Sequence, residues 1–145
     1  MNSTVRNIVA IVVGLVVGNI INGTLLMVSA YVIPPPSGAD VSTMEGLKAT
    51  MHLFEPKHFL FPFLAHALGT FVAALLATAI AASHHKKFAL AIGVLFLFAG
   101  IANVVMLPSP LWFTVVDLVF AYIPMSYLGY LVARRKRSEQ KMDSM

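Results

Sequence analysis

Two side chains suited to proton chemistry, His66 and Asp117, each stand alone inside a long apolar stretch. A carboxylate that accepts from one imidazole nitrogen orients the ring and leaves the other nitrogen free to take a proton or bind a cation. Asn22 and Asn103 are similarly isolated, and Thr70 and Asn19 fall about one helical turn from His66 and Asn22. His66 lies seven residues after Phe59, Asn103 five before Pro108, Asp117 six after Leu111 and Asn22 eleven before Ile33. At ~1.5 Å per helical residue all of them reach roughly 7 to 17 Å below one boundary. The expectation is a shared polar cluster of Asn22, His66, Asn103 and Asp117, with Thr70 extending it, able to hold a ligand or a proton. Each has a plainer reading as an interhelical hydrogen bonder, although Asp117, too short to reach water from such a depth, must be wet, protonated or paired.

His52 and Glu55 stand three residues apart, a spacing that metal ligands use, and His58 follows closely. Scattered histidines without a repeated motif make weak zinc ligands, so neither metal nor cofactor is expected. The chain has no cysteine, which removes disulfides, thiolate metal sites and cysteine nucleophiles.

These residues need elements to carry them. Residues 7–39 and 58–85 hold no Asp, Glu, Lys or Arg, and 88–133 hold only Asp117. Because a charge at mid-bilayer depth costs several kcal/mol on most scales, such a distribution is written for lipid. Composition agrees, with 59% hydrophobic residues, 11% charged and a mean hydropathy of +0.84. Four stretches meet the ~20-residue requirement for a span: 8–33, 59–82, 88–107 and 111–133. Pro34-Pro35-Pro36, His84-His85-Lys86-Lys87 and Pro108-Ser109-Pro110 separate them. The fold expected is all-α, an up-down four-helix transmembrane bundle over 1–133, with a basic cytoplasmic tail at 134–145.

Val28-Ser29-Ala30 offers small residues like those of a signal cleavage site, but the apolar stretch is long for a signal core and Asn19 and Asn22 interrupt it. The first stretch is therefore expected to stay as a span. Arg6, Lys86, Lys87 and the run Arg134 to Arg137 must share one side, which the positive-inside rule makes the cytoplasm, so both termini are placed there, in a bacterial inner membrane. Aromatics mark the outer boundary at Tyr31, Phe59, Phe61, Trp112 and Phe113. In the outer loop, 34–58, Ser42-Thr43-Met44-Glu45 reads as a capping box with Ser42 as N-cap. Met44, Leu47, Met51 and Phe54 continue it as one apolar stripe ended by Pro56.

Small residues predict the packing. Gly14 and Gly18 line the first span four apart, and Ala65, Gly69, Ala73, Ala77 and Ala81 make a ridge of small residues along the second. The ridge is expected to face the first span within the protomer rather than a second copy. Pro124, mid-way along the fourth span, removes a backbone donor and predicts a bend that is static or, alternatively, a hinge.

The +4 formal charge sits in loops and tail, where topology accounts for it, so no nucleic-acid partner is expected. Expected partners are membrane lipids, with anionic headgroups at the basic C-terminal tail, and a second copy or another membrane protein. No motif resembles a known family. Three functions fit: a non-catalytic accessory or assembly protein, an oligomeric proton- or cation-coupled transporter or channel using Asp117 and His66, and an outer-leaflet enzyme acting on lipid or quinone. Enclosure of the polar cluster separates them: closed for the first, a wet path for the second, a lateral opening beside His66 for the third.

Overall fold

The computed structural model describes residues 2–144. Among them it is all-helical, with four helical stretches long and apolar enough to cross a membrane: Ser3–Val32, Pro56–Ile80, His85–Met106 and Leu111–Asp143. Helix suits these sequences because it satisfies every interior backbone group within the segment, as lipid demands.

Helix α1 (Ser3–Val32) is capped by the Asn2 side chain, which accepts from Thr4 N, and ends where the triple proline removes three donors. Helix α2 (Met44–Thr50) lies in the long loop. Its N-cap is Thr43, whose hydroxyl accepts from Gly46 N at 2.9 Å, not Ser42. Ser42 instead gives both its N–H and its hydroxyl to Asp40, a stronger acceptor two residues away. Short 3-10 turns, Met51–Leu53 and Pro56–Phe59, then lead into α3 (Leu60–Ile80). Helix α4 (His85–Met106) begins inside the stretch expected to be turn, and the fourth apolar stretch is two helices, α5 (Leu111–Phe120) and α6 (Ile123–Asp143). The basic tail is thus the end of a helix, not a loose extension.

Helix α3 is the centre of the bundle and packs against α1, α4 and α6. Its ridge residues Ala65, Gly69, Ala73 and Ala77 are buried, and the ridge faces α1 within the protomer. A Cβ on Gly18 would lie 2.7 Å from both Gly69 O and Ala73 Cβ, and one on Gly14 would lie 2.6 Å from Ala73 O. Only glycine permits that backbone approach, the close packing that membrane-spanning helices use to gain dispersion energy. Ala81, just past α3, is also fully buried.

At the far end of α3 the carbonyls left free by helix termination are taken by side chains from three elements. Arg6 Nε donates to Ile80 O at 2.6 Å, His85 Nδ1 lies 3.0 Å from Thr78 O, and Arg137 donates to the same oxygen at 3.4 Å. Asn7 adds a cap, its Oδ1 accepting from Ala82 N at 2.8 Å. Basic residues there join the helices as well as carrying charge.

Candidate functional site

Asp117 is 2% exposed, which makes the partners of its carboxyl the first question, since a buried carboxyl without donors costs several kcal/mol. His66 of α3 supplies Nδ1 at 2.8 Å from Oδ1 and 3.0 Å from Oδ2. Tyr122 donates its hydroxyl to Oδ2 at 2.9 Å and is itself 2% exposed. Its ring stacks on the imidazole, 5.8 Å between centroids and 28° between planes. The three side chains form one bonded unit joining α3 to the α5–α6 junction.

The junction explains how Tyr122 arrives. In a continuous helix a residue five positions on lies about 140° around the axis and could not turn back to Asp117. Pro124 sits at the second position of α6 and leaves Phe120 O without its helical donor, so α5 ends at Phe120 and the chain breaks at Ala121–Tyr122. Gly100 of α4 completes the seat: a Cβ there would collide with the Tyr122 hydroxyl and ring. Tyr122 was not among the residues singled out from sequence. The signal that pointed to it was Pro124, whose break had to redirect a neighbouring side chain.

Above the unit, toward the α2 loop, lies an aromatic cap. Phe59 and Phe113 are both buried, 4.8 Å apart by centroid, and Trp112 stands 5.6 Å from Phe59. Phe113 is one turn from Asp117 along α5, and Phe59 about two turns from His66. Neither of two surface cavities, at opposite ends of the molecule, is lined by His66, Asp117 or Tyr122. The side chain of His66 retains 14% exposure, and its Nε2 has no hydrogen-bond partner among the described residues.

The other residues expected in the cluster lie apart from it. Asn103 is exposed on α4, and Asn22 is half-buried in the α1–α3 contact, its Cβ packed beside Gly69. Asn19 turns its amide onto Leu15 O of its own helix at 2.8 Å. Thr70 is fully buried one turn from His66 and its hydroxyl has no partner among the described residues. Depth along the helices matched, but rotation about their axes does not bring Asn22 or Asn103 to Asp117.

The weak metal candidates do not converge. His52 Nδ1 lies on Ala49 O, His58 Nδ1 receives Glu55 N, and the Glu55 carboxylate pairs with Lys57 at 2.9 Å, which holds it below its ordinary pKa. Among the described residues no group of three or more His, Asp or Glu side chains is placed to share a metal ion.

Chemically, the unit can fix an imidazole in one orientation and hold a proton between three groups. It presents no hydroxyl or thiol bonded to His66 that could serve as a nucleophile among the described residues. No family model, no characterised protein and no solved structure matches this chain.

Proposed function

We propose that the chain is a non-catalytic accessory or assembly protein of a bacterial inner membrane. Its four spans run up and down with both termini cytoplasmic, and His66, Asp117 and Tyr122 lock α3 to the broken fourth span in the outer half of the bilayer. The observation that carries this reading is the enclosure of Asp117, whose two oxygens are met by donors from two places in the fold under an aromatic cap. A carboxyl met at both oxygens by side chains from α3 and from the α5–α6 junction, with neither cavity reaching it, describes a joint between helices. Asn22 contributes to packing along α1, and Pro124 sets a static break that delivers Tyr122. The Lys and Arg distribution supports the orientation.

A second reading rests on His66 Nε2, free of partners among the described residues on a side chain that keeps 14% exposure. In that reading His66 and Asp117 carry a proton or cation across the outer half of the membrane.

Asp117→Asn separates the two. An asparagine can accept from Tyr122 and donate to His66 Nδ1 in its other tautomer, so the joint survives while the titrating group is lost. The accessory reading expects wild type in proteoliposomes to carry no proton or cation flux and Asp117→Asn to melt within a few degrees of it. A wild-type flux abolished by Asp117→Asn would replace this reading with the second.

A further inference from the structure

At the other end of the molecule from the aromatic cap, α4 and α6 line an open cavity of about 690 Å³, within the range of small-ligand sites. Lys86 and Lys87 enter it from the first turn of α4, and Arg134, Arg137 and Lys141 from α6. The α6 residues lie at steps of three and four, one helical face turned on the start of α4. No acidic side chain among the described residues lines it.

Membrane topology alone would place cations on this side without gathering them. The tail itself provides the contrast in direction and pairing, since Arg135 and Lys136, between the cavity residues in sequence and exposed as those are, lie off that face, and Arg135 pairs with Glu139 at 3.0 Å. Within the cavity the geometry is built. Arg137 bridges Thr78 O and the His85 ring, with its guanidinium nitrogen 2.9 and 3.0 Å from the two imidazole nitrogens, and Lys86 lies 5.4 Å over the Tyr127 ring. The Lys87, Arg134 and Lys141 side chains make no hydrogen bond or ion pair among the described residues. Thr78, which also lines it, is fully buried with a hydroxyl that has no partner there. Like charges held together around a shared space repel unless an anion lies between them.

We propose that this cavity binds a phosphate monoester or diphosphate group, supplied by an anionic phospholipid headgroup or by a soluble phosphate compound. Guanidinium and ammonium donors around one space match the several oxygens and double charge of such a group. A zwitterionic choline headgroup brings its own cation and fits poorly. The inference deepens the membrane reading only in its choice of lipid, and it is independent of the role proposed for His66 and Asp117.

Native mass spectrometry of the full chain in detergent tests it, with dioleoyl phosphatidate, dioleoyl phosphatidylcholine and inorganic pyrophosphate as separate probes. Phosphatidate or pyrophosphate should bind at least about tenfold more tightly than phosphatidylcholine. Arg134→Gln with Lys141→Gln should weaken that binding about tenfold or more, and Arg135→Gln with Lys136→Gln, an equal change in net charge, about threefold or less. Neither replaced side chain in the cavity pair holds the fold together, and an unchanged melting temperature checks that. Phosphatidate that pyrophosphate fails to displace identifies a lipid source, and displacement by pyrophosphate a soluble one. Equal losses in the two double variants, or no preference for either phosphate probe over phosphatidylcholine, overturn the proposal.

Discussion

Replacing Gly18 with alanine adds one methyl group to the closest point between α1 and α3. The new Cβ would sit 2.7 Å from Gly69 O and Ala73 Cβ, about 0.7 Å short of the 3.4 Å where ordinary contact begins, and 3.1 Å from Phe96 Cζ, about 0.3 Å short. Two of these neighbours are a backbone oxygen and a Cβ, so neither can rotate away, and the helices must separate. A radial gap of 0.5–1 Å forfeits roughly a quarter to a half of each dispersion contact it opens, and overpacking of this kind costs about 1–3 kcal/mol. Alanine also gains up to ~1 kcal/mol of helix propensity over glycine, which would blur the result taken alone. Gly23 removes that ambiguity. It lies in the same helix, and a Cβ there would meet nothing within 4 Å. Propensity is common to both substitutions and cancels in their difference, so Gly18→Ala should be less stable than Gly23→Ala by about 1–3 kcal/mol. SDS-driven unfolding in mixed micelles, followed by far-UV circular dichroism, measures both. Equal stability of the two variants would refute the packing argument.

Gly100→Ala should push Tyr122 off Asp117, costing roughly 2–4 kcal/mol from overpacking and a strained buried bond. In thermal melts its effect should be less than additive with Tyr122→Phe, which removes the same hydrogen bond directly. The Asp40 carboxyl accepts from Ser42 twice and is thereby held below its ordinary 3.8. A lowered carboxyl contributes fully above its ordinary value and loses its contribution as pH falls through the lowered one. Ser42 amide protection, its exchange rate by NMR relative to an unstructured amide at the same pH, should therefore be lost only in acid below that ordinary value, and loss of protection already at pH 5 to 6 would contradict the Asp40 cap. Because the chain has no cysteine, Ser37→Cys and Ser109→Cys should react with an impermeant thiol reagent in intact cells, while Ser138→Cys should not. Labelling at 138 would reverse the orientation.

The helical stretches were legible because a helix able to cross a membrane requires one pattern, a long run without charge, and the residues that stop them are the prolines and the Ser83–His84 turn. Counting residues from those stops placed His66 and Asp117 at matching depth, and the structure joins them at 2.8 Å. The same count misled for Asn103 and Asn22. Rise per residue is fixed, so depth follows from number, but the direction a side chain faces depends on helix rotation, set by contacts such as Gly18 on Gly69 that no count contains. Tyr122 was hidden for a related reason, because its approach needs the break that Pro124 causes and the space that Gly100 leaves. The shifted N-cap of α2 shows local competition: Ser42 had a carboxylate within reach, and Thr43 took the role.

A double-mutant cycle between His66 and Asp117, read as unfolding free energy in mixed micelles, tests the joint most directly. His66→Ala and Asp117→Ala should each cost about 3–5 kcal/mol, because each strands a buried polar partner. The double variant should fall short of their sum by about 1–3 kcal/mol. Losses that add to within about 0.5 kcal/mol, the behaviour of independent sites, would mean that the His66–Asp117 bond does not hold α3 to the fourth span.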